Sequence, residues 1–176
     1  MIKKILIANR GEIALRVIRT CQALGIKTVA VYSDEDYGSM HVKKATEAYH
    51  IGEAAPAKSY LNQEKIVEVA LASGADAIHP GYGFLSENSD FANLCAKNKI
   101  KFIGPSGKSM QLCGDKMKCK DAMAKAKVPT VPGSPDLVKD SDEALDIANK
   151  IGYPVLLKSV FGGGGRGIRL VKNDKE

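Results

Sequence analysis

The chain has 176 residues, of which 44% are hydrophobic and 26% are charged. This length accommodates one domain with residues to spare, and the ordinary apolar content excludes disorder as the main state. No apolar run exceeds four residues, and a membrane span needs about 20. The apolar stretch after Met1 is too short for a signal peptide, so we expect a soluble, cytoplasmic protein. The four cysteines form no C-x-x-C pair, which predicts reduced thiols and neither a zinc site nor a disulfide framework.

The net charge of +6 is concentrated in residues 97–127, which hold nine lysines and two aspartates. A basic stretch of this kind attracts nucleic acid, acidic lipid or a phosphate-bearing small molecule, and lysines on a solvated helix face explain it as well. The stretch has one aromatic residue and no arginine, so it lacks stacking platforms and bidentate base readers. We therefore expect neither a nucleic-acid nor a membrane partner.

Short apolar strands and amphipathic helices alternate along residues 1–105. A strand over 4–8 precedes a helix from Glu12 that Gly25 ends, and this helix carries apolar residues at helical spacing, namely Ile13, Val17, Cys21 and Leu24. The later elements are strands over 27–32, 48–52, 76–79 and 101–105, with helices over 62–73 and 90–98. This alternation predicts a doubly wound α/β domain, in which helices cover both faces of a parallel sheet.

The composition changes beyond this domain. A helix-rich bridge over 109–127 leads to a proline-rich connection over 128–135, which cannot be helical. A helix over 142–151 and strands over 153–158 and 168–172 follow, and they are too few to bury a core by themselves. We therefore divide the chain into an N-terminal α/β domain (1–113), a bridge and connection (114–135) and the start of a second domain (136–176).

Residues 162–167 form a glycine-rich loop between the last two predicted strands. The run satisfies G-x-G-x-x-G, but a strand follows it where the dinucleotide fingerprint needs a helix, and Arg166-Gly167 replaces the G-K-[ST] of a P-loop. Consecutive glycine amides can surround an anion, and Lys158 on the preceding strand adds a positive charge. The alternative is a hairpin that is merely flexible.

Two further segments carry candidate site residues. Lys116 lies on the apolar line of a predicted helix, where it either reaches outward to solvent or meets a buried anion. The segment from His79 to Asn88 follows a strand of the sheet and holds three polar candidates, namely His79, Tyr82 and Glu87. Ligands of open parallel sheets bind beyond the carboxyl ends of the strands. The alternative is a structural turn whose residues 86–89 cap the next helix.

Six motifs occur in a fixed order over the whole chain. They are Ala8-Asn-Arg-Gly-Glu-Ile-Ala-Leu-Arg16, His79-Pro-Gly-Tyr-Gly-Phe-Leu-Ser-Glu-Asn88, Phe102-Ile-Gly-Pro105, Gly114-Asp-Lys116, Val131-Pro-Gly-Ser134, and Gly152-Tyr-Pro-Val155 with its lysine and glycine loop. Together they resemble the biotin carboxylase family, which includes the N-terminal parts of pyruvate and acyl-CoA carboxylases. Each motif alone is a weak signal, but their order is specific.

The resemblance implies an ATP-grasp ligase that uses ATP and Mg²⁺ to activate bicarbonate as carboxyphosphate and then carboxylates biotin on a carrier protein. The implied fold is a Rossmann-like domain followed by the beginning of an ATP-grasp domain. The implied partners are a biotin carboxyl carrier protein or domain, a carboxyltransferase and a second copy of the enzyme.

The resemblance also implies roles for individual residues. Lys116 and Lys158 would contact the ATP phosphates, under a glycine lid formed by Gly163, Gly164 and Gly165. Tyr82 and Gly83 would lie near the biotin, and Arg16 and Arg19 at a dimer contact. No catalytic residue and no metal ligand of the family falls within the chain, so we expect this part alone to be inactive.

Phe161 departs from the family pattern, because it places a bulky ring where the glycine run usually begins. A ring at this position would affect how the lid closes. Two alternatives remain open: a noncatalytic dimerisation module that uses the Arg16–Arg19 face, and a part of a different ATP-grasp ligase, such as a carbamoyl-phosphate or purine-pathway enzyme.

Overall fold

The computed structural model of the chain describes residues 1–134, 136–159 and 167–176, and for residues 116 and 117 it describes the backbone alone. The described residues form two compact units, Met1–Leu112 and Cys113–Glu176.

The first unit alternates strands and helices in the predicted order. Its strands are β1 (Lys4–Ile7), β2 (Lys27–Ser33), β3 (Glu47–Gly52), β4 (Ala77–His79) and β5 (Lys101–Phe102). Its helices are α1 (Gly11–Ala23), α2 (Met40–Lys44), α3 (Gln63–Ser73) and α4 (Ser89–Lys97), and α5 (Gly107–Gly114) runs into the second unit. α2 and two short 3₁₀ turns, at Asp34–Asp36 and Pro56–Lys58, were not predicted, because each is too short to show a helical period in the sequence.

The five strands form one parallel sheet in the order β3-β2-β1-β4-β5. β1 is central, and its Leu6 lies opposite Val29 of β2 and Ile78 of β4. The strand order reverses at β1, since the chain builds β2 and β3 on one side and β4 and β5 on the other. The predicted doubly wound α/β fold is confirmed.

The two faces of the sheet have separate cores because side chains alternate along each strand. Ile5 and Ile7 of β1 pack on one face with Ala14, Ile18 and Cys21 of α1. Residues from β1, β2 and β4 pack on the other face against α3 and α4, and this larger cluster includes Leu6, Val29, Val31, Ile66, Ile78, Phe91 and Cys95. Burial raises the pKa of the Cys95 thiol to about 11, so the thiol stays protonated and behaves as an apolar group.

The buried line of α1 differs from the predicted one. Ala14, Ile18 and Cys21 are buried, whereas Leu24 is 69% exposed. Leu24 follows the last helical residue as the C-cap, so it has already left the helix face that meets the sheet. Gly25 follows with a φ of +68°, a conformation that favours glycine and ends the helix as predicted.

The second unit contains the helices α6 (Lys116–Lys125) and α7 (Ser141–Ile151) and an antiparallel hairpin of β6 (Val155–Lys158) and β7 (Ile168–Val171). Asp140 caps α7, since its Oδ1 accepts a hydrogen bond from the Glu143 amide at 2.9 Å, and Gly152 ends this helix as predicted. Among the apolar residues that are described here, Ala148 and Val171 are buried, while Leu156, Leu157, Ile168 and Leu170 are each about half exposed.

In the described parts of the chain, no helix has the length and apolar character that crossing a membrane requires.

Candidate functional site

The loops that follow β1 and β4 meet at the carboxyl edge of the sheet. The β1 loop leads into α1 on one face, and the β4 loop leads into α4 on the other. A reversal of strand order between two such loops opens a crevice, and ligands of open α/β sheets bind there. Asn9 and Arg10 supply one wall, and Tyr82, Gly83 and Phe84 supply the other.

Asn9 joins the two loops directly. Its side chain is almost fully buried, at 1% exposure. Its Nδ2 donates hydrogen bonds to the carbonyl oxygens of Pro80, at 2.8 Å, and Tyr82, at 2.9 Å. Its Oδ1 accepts a hydrogen bond from the Arg10 amide at 2.9 Å. One side-chain amide therefore fixes the β4 loop against the start of α1.

Arg10 is held by a buried carboxylate. Its Nε and Nη2 donate to the two oxygens of Asp36, at 2.6 and 2.5 Å. The Tyr60 hydroxyl also donates to Asp36 Oδ2 at 2.6 Å, and Ser33 and Ser39 donate at 3.3 Å each. These donors saturate the carboxylate, so Asp36 anchors its neighbours and has no capacity left for a substrate.

The charges in this cluster shift each other's protonation. The hydrogen bond from Arg10 holds the pKa of Asp36 well below its usual range, and Asp36 raises the pKa of Arg10 in turn. Burial and the hydrogen bond to Asp36 raise the pKa of Tyr60 to about 12. The Arg10 side chain is 48% exposed although Asp36 is buried, and it lines the crevice, so Arg10 presents a fixed positive charge there.

Tyr82 and Gly83 lie on this crevice. They line a cavity of about 360 Å³ together with Asn9, Arg10, Gly11, Glu12, Ile13 and Phe84. Tyr82 is 62% exposed, and its hydroxyl donates to Glu12 Oε1 at 2.7 Å. This hydrogen bond raises the pKa of the Tyr82 phenol. Gly83 has a φ of +70° and open space where a Cβ would stand, so its backbone is accessible to a ligand.

Neither of the other two candidates of this segment lines the crevice, but His79 lines a neighbouring cavity together with Gly81 and Tyr82. His79 Nδ1 accepts a hydrogen bond from the Gly81 amide at 3.0 Å, and burial lowers the pKa of this imidazole. A neutral His79 thus shapes the turn, in agreement with the structural alternative. Glu87 is exposed and lines neither described cavity. The predicted cap of α4 is confirmed at Asn88, whose Oδ1 accepts from the Phe91 amide at 2.8 Å.

Arg16 and Arg19 are exposed on α1. Arg16 lines a second cavity of about 410 Å³, beside apolar residues of β1 and α1 that include Ile5, Ile13 and Val17. Arg19 is not among the lining residues of this groove. Arg16 is thus an exposed cation at the edge of an apolar groove, and Arg19 is a second exposed cation one helical turn away.

The second unit carries the lysine candidates. Lys158 is exposed at the end of β6 and pairs with Ile168 of β7. The ladder continues one step further, because the Ser159 amide donates to the Gly167 carbonyl at 2.8 Å. The hairpin therefore places Lys158 beside the residues that flank the glycine run. Gly163, Gly164, Gly165 and Phe161 themselves lie outside the described residues.

Lys116 is the first residue of α6, and its side chain is outside the described part. Asp115 precedes this helix and caps it, since its Oδ1 accepts a hydrogen bond from the Lys118 amide at 3.1 Å. A carboxylate at this position complements the helix dipole. Within the described residues, no group of three His, Cys, Asp or Glu side chains has the arrangement of a metal site.

No individual role was predicted from the sequence for Asn9, Arg10, Asp36 or Tyr60. Asn9 and Arg10 stand in the first of the six motifs, directly after β1, and this position was the available signal. The sequence contains no such signal for Asp36 and Tyr60. They are 26 and 50 positions from Arg10, and only the folded chain brings them close to it.

The family comparisons divide the chain at nearly the same place as its geometry. The biotin carboxylase N-terminal domain model matches residues 1–110, and the model of the carbamoyl-phosphate synthase L chain ATP-binding domain matches residues 115–176. The biotin carboxylase of a Nostoc strain is 57% identical over 173 residues, which cover 98% of this chain and 39% of that protein.

Solved structures agree with these matches. The biotin carboxylase domain dimer of Hydrogenobacter thermophilus 2-oxoglutarate carboxylase, in complex with MgADP, ADP and bicarbonate, is 58% identical with a TM-score of 0.85, and the match covers 99% of this chain and 38% of that one. A Campylobacter jejuni biotin carboxylase complex with a β-γ-ATP ligand is 51% identical with a TM-score of 0.89, over 99% of this chain and 39% of that one. The chain thus spans well under half the length of these relatives. It belongs to the biotin carboxylase N-terminal domain family.

Proposed function

We propose that this chain is the N-terminal part of a biotin carboxylase. The whole enzyme would use ATP and Mg²⁺ to activate bicarbonate as carboxyphosphate and would carboxylate biotin on a carrier protein. The observation that carries this proposal is the order of the two family matches, a biotin carboxylase N-terminal domain followed directly by an ATP-binding domain. The ADP, magnesium and bicarbonate bound in the Hydrogenobacter thermophilus relative support the same reaction class.

The second unit would bind the triphosphate. Lys158 is exposed at the end of a hairpin strand, next to the flanks of the glycine run. An ammonium group at this position can donate to phosphate oxygens and offset the negative charge that develops during phosphoryl transfer. We assign Lys116 and the lid glycines Gly163, Gly164 and Gly165 to the same role. We assign no Mg²⁺ ligand to this chain, because the resemblance to the family places those ligands in the rest of the enzyme.

The first unit would bind biotin on the crevice between the β1 and β4 loops. Tyr82 offers an exposed ring and Gly83 an accessible backbone, both on the 360 Å³ cavity. The fixed charge of Arg10 lies on the same cavity. A bicyclic urea with an apolar tail fits such a surface, because the ring contacts its faces and backbone groups bind its ureido edge.

We further propose a homodimer that uses the Arg16–Arg19 face of α1, with a biotin carboxyl carrier and a carboxyltransferase as the other partners. Both arginines are exposed and Arg16 borders an apolar groove, a combination that is typical of interfaces. We also propose a cytoplasmic location, where the substrates of the proposed reaction are available.

A different ATP-grasp ligase is the second candidate, because the ATP-binding match carries a carbamoyl-phosphate synthase description. That match covers residues 115–176, whereas the biotin carboxylase match covers the larger part of the chain. We therefore prefer the biotin-dependent reaction.

The test is an assay of ATP cleavage by the full-length protein with bicarbonate present, in three parallel reactions that contain free biotin, ammonia or neither. We expect biotin to stimulate ATP cleavage and ammonia to leave it at the level of the third reaction. Omission of bicarbonate is the control, and it should abolish the stimulation. Stimulation by ammonia but not by biotin would assign the chain to the second candidate.

A further inference from the structure

We propose that Asn9 is a positioning residue that sets the Tyr82–Gly83 segment for the acceptor substrate. This inference rests on the proposed function, in which that segment faces biotin. Asn9 lines the same cavity, but it is only 1% exposed and its side-chain amide is used within the protein, so it acts through the backbone that it holds.

The hydrogen bonds of Asn9 are directed at this one segment. Both protons of its Nδ2 are used, one on the Pro80 carbonyl and one on the Tyr82 carbonyl. Its Oδ1 is used by the Arg10 amide. The two acceptors are carbonyl oxygens and the donor is an N–H, so only a side chain with a donor end and an acceptor end satisfies all three bonds.

The β4 loop is wrapped around the Asn9 side chain. Gly81 stands between the two bonded carbonyls with a φ of +65°, and a Cβ on it would lie 2.8 Å from Asn9 Nδ2. The approach is therefore too close for any other residue type at position 81. The loop conformation and the amide fit each other as a pair.

Other contacts hold the two ends of the segment without Asn9. At one end, His79 Nδ1 accepts from the Gly81 amide. At the other end, Phe84 stacks on Tyr60 with ring centroids 5.1 Å apart and planes 13° apart. Tyr82 and Gly83 lie between these anchors, and both are exposed. Loss of the Asn9 bonds should thus move the middle of the segment while its ends remain in place.

The experiment compares Asn9→Asp with Asn98→Asp in the full-length protein. Asn9→Asp keeps the size of the side chain but turns an oxygen toward two carbonyl oxygens, which repel it. Asn98 is a matched control, because its Nδ2 donates to the Leu94 carbonyl at 2.9 Å in α4, away from the crevice. The measured quantities are KM for free biotin, KM for ATP and the thermal midpoint.

We expect Asn9→Asp to raise the ratio of KM for biotin to KM for ATP by about tenfold, since small displacements of positioning groups have effects of this size. Asn98→Asp should leave that ratio within about twofold of the parent value. Asn9→Ser, which removes both bonds to the loop but places no negative charge beside the two carbonyl oxygens, should give an intermediate ratio. A purely structural role would lower the thermal midpoint and leave the ratio of the two KM values where it was.

An unchanged ratio in a folded Asn9→Asp protein would overturn the inference. If Asn9→Asp does not fold, Asn9→Ser provides the measurement, and failure of both variants to fold would assign Asn9 to stability alone. A parent protein without biotin-dependent activity would instead count against the proposed function, so the two failures are distinguishable.

Discussion

Asp36 and Arg10, 26 positions apart, form a two-pronged ion pair in which the Asp36 side chain is buried while the Arg10 side chain is about half exposed. The pair joins the end of β1 to the turn after β2. Tyr60 extends it to the loop before α3 and, through its stack on Phe84, to the β4 loop. One carboxylate thus connects the loops that surround the crevice.

Replacement of Asp36 by Asn should destabilise the first unit by about 2–3 kcal/mol. Loss of one partner from a fully buried pair costs about 3–5 kcal/mol, and the exposed side of Arg10 lets water compensate part of this. The measurement is the free energy of unfolding in urea. Glu53→Gln is the control: Glu53 and Lys58 form a pair whose side chains are both more than 60% exposed, so its loss should cost no more than about 0.5 kcal/mol.

The pair of Asp36 and Arg10 also predicts that the free energy of unfolding decreases in acid. Because Arg10 holds the pKa of Asp36 far below its usual range, the unfolded chain takes up this proton first as the pH falls. The stabilisation is complete above pH 4 and declines as the pH falls from about 4 toward the folded pKa. Asp36→Asn should therefore flatten the acid limb of a plot of unfolding free energy against pH, and an unaltered acid limb would contradict the role given to Asp36.

The strands and the longer helices are predictable from the sequence because burial leaves an apolar pattern in each. The pattern is a short continuous run in a strand and a helical period in a helix. β1 is a continuous apolar run, as expected for a strand that is covered on both faces, and Gly74 marks the end of α3 with its φ of +66°. In α1, the apolar pattern does not predict which residues are buried. Its apolar residues exceed the face that meets the sheet, so Ile13 and Val17 line the groove beside the buried Ala14 and Ile18.

The candidate site was predictable to a smaller extent. The segment from His79 to Asn88 stood out by its composition and its place after a strand, and the structure locates Tyr82 and Gly83 on the crevice. Asn9 and Asp36 carry no periodic signal. Their importance comes from hydrogen bonds across 71 and 26 positions, respectively, and such partners become visible only when the strand order is known.

Two glycines of the β4 loop should differ in their tolerance of alanine. In Gly81→Ala, the new Cβ would lie 2.7 Å from Ile13 Cγ2 and 2.8 Å from Asn9 Nδ2. This crowding adds to the backbone strain, and we expect the free energy of unfolding to fall by about 3 kcal/mol. Gly83 has a similar φ of +70°, but a Cβ at this position would stand in open space. In Gly83→Ala, backbone strain alone should therefore lower the free energy of unfolding by about 1 kcal/mol. Equal losses in urea unfolding would show that crowding at position 81 is unimportant.

His41 should make the first unit less stable as the pH falls below about 6.5. Its side chain is fully buried, its Nε2 lies 3.3 Å from the Val31 carbonyl, and its Nδ1 has no hydrogen-bond partner among the described residues. Burial lowers the pKa of His41, although the Val31 carbonyl and the Asp36 charge oppose this effect. The folded state keeps the ring neutral while the unfolded chain, with a histidine pKa of about 6.5, takes up the proton. Stability is therefore complete above pH 6.5 and declines below it, by at most about 1.4 kcal/mol per pH unit for one group.

The check on His41 is the pH dependence of urea unfolding between pH 7 and pH 5. His41→Leu should reduce its slope, and the additional change His79→Gln should reduce it further, since burial also lowers the pKa of His79. His50→Gln is the exposed control, because His50 lies on the surface against Asp34 at 2.6 Å. A slope in His41→Leu as steep as that of the parent protein would contradict the assignment.

Arg19→Glu should convert the proposed dimer of the full-length protein into monomers. The substitution reverses the charge of an exposed residue one turn from Arg16, which borders the apolar groove of α1. Charges at an interface are matched by opposite charges on the partner, so reversal of one of them opposes association. Sedimentation velocity measures the outcome, with Lys97→Glu in α4 as a control on the other face of the sheet. A parent protein that sediments as a monomer would refute the proposed interface.

Lys158→Gln should raise KM for ATP in the full-length enzyme by at least about tenfold. A charge-assisted hydrogen bond contributes about 1.5–3 kcal/mol, and 1.4 kcal/mol corresponds to a factor of ten. Lys172→Gln is the matched control, because Lys172 is also exposed but follows β7 at the other end of the hairpin, where Val155 pairs with Val171. Its KM should stay within about twofold of the parent value. Equal effects of the two substitutions would mean that ATP responds to the net charge of the hairpin, and the placement of a phosphate contact at Lys158 would then be wrong.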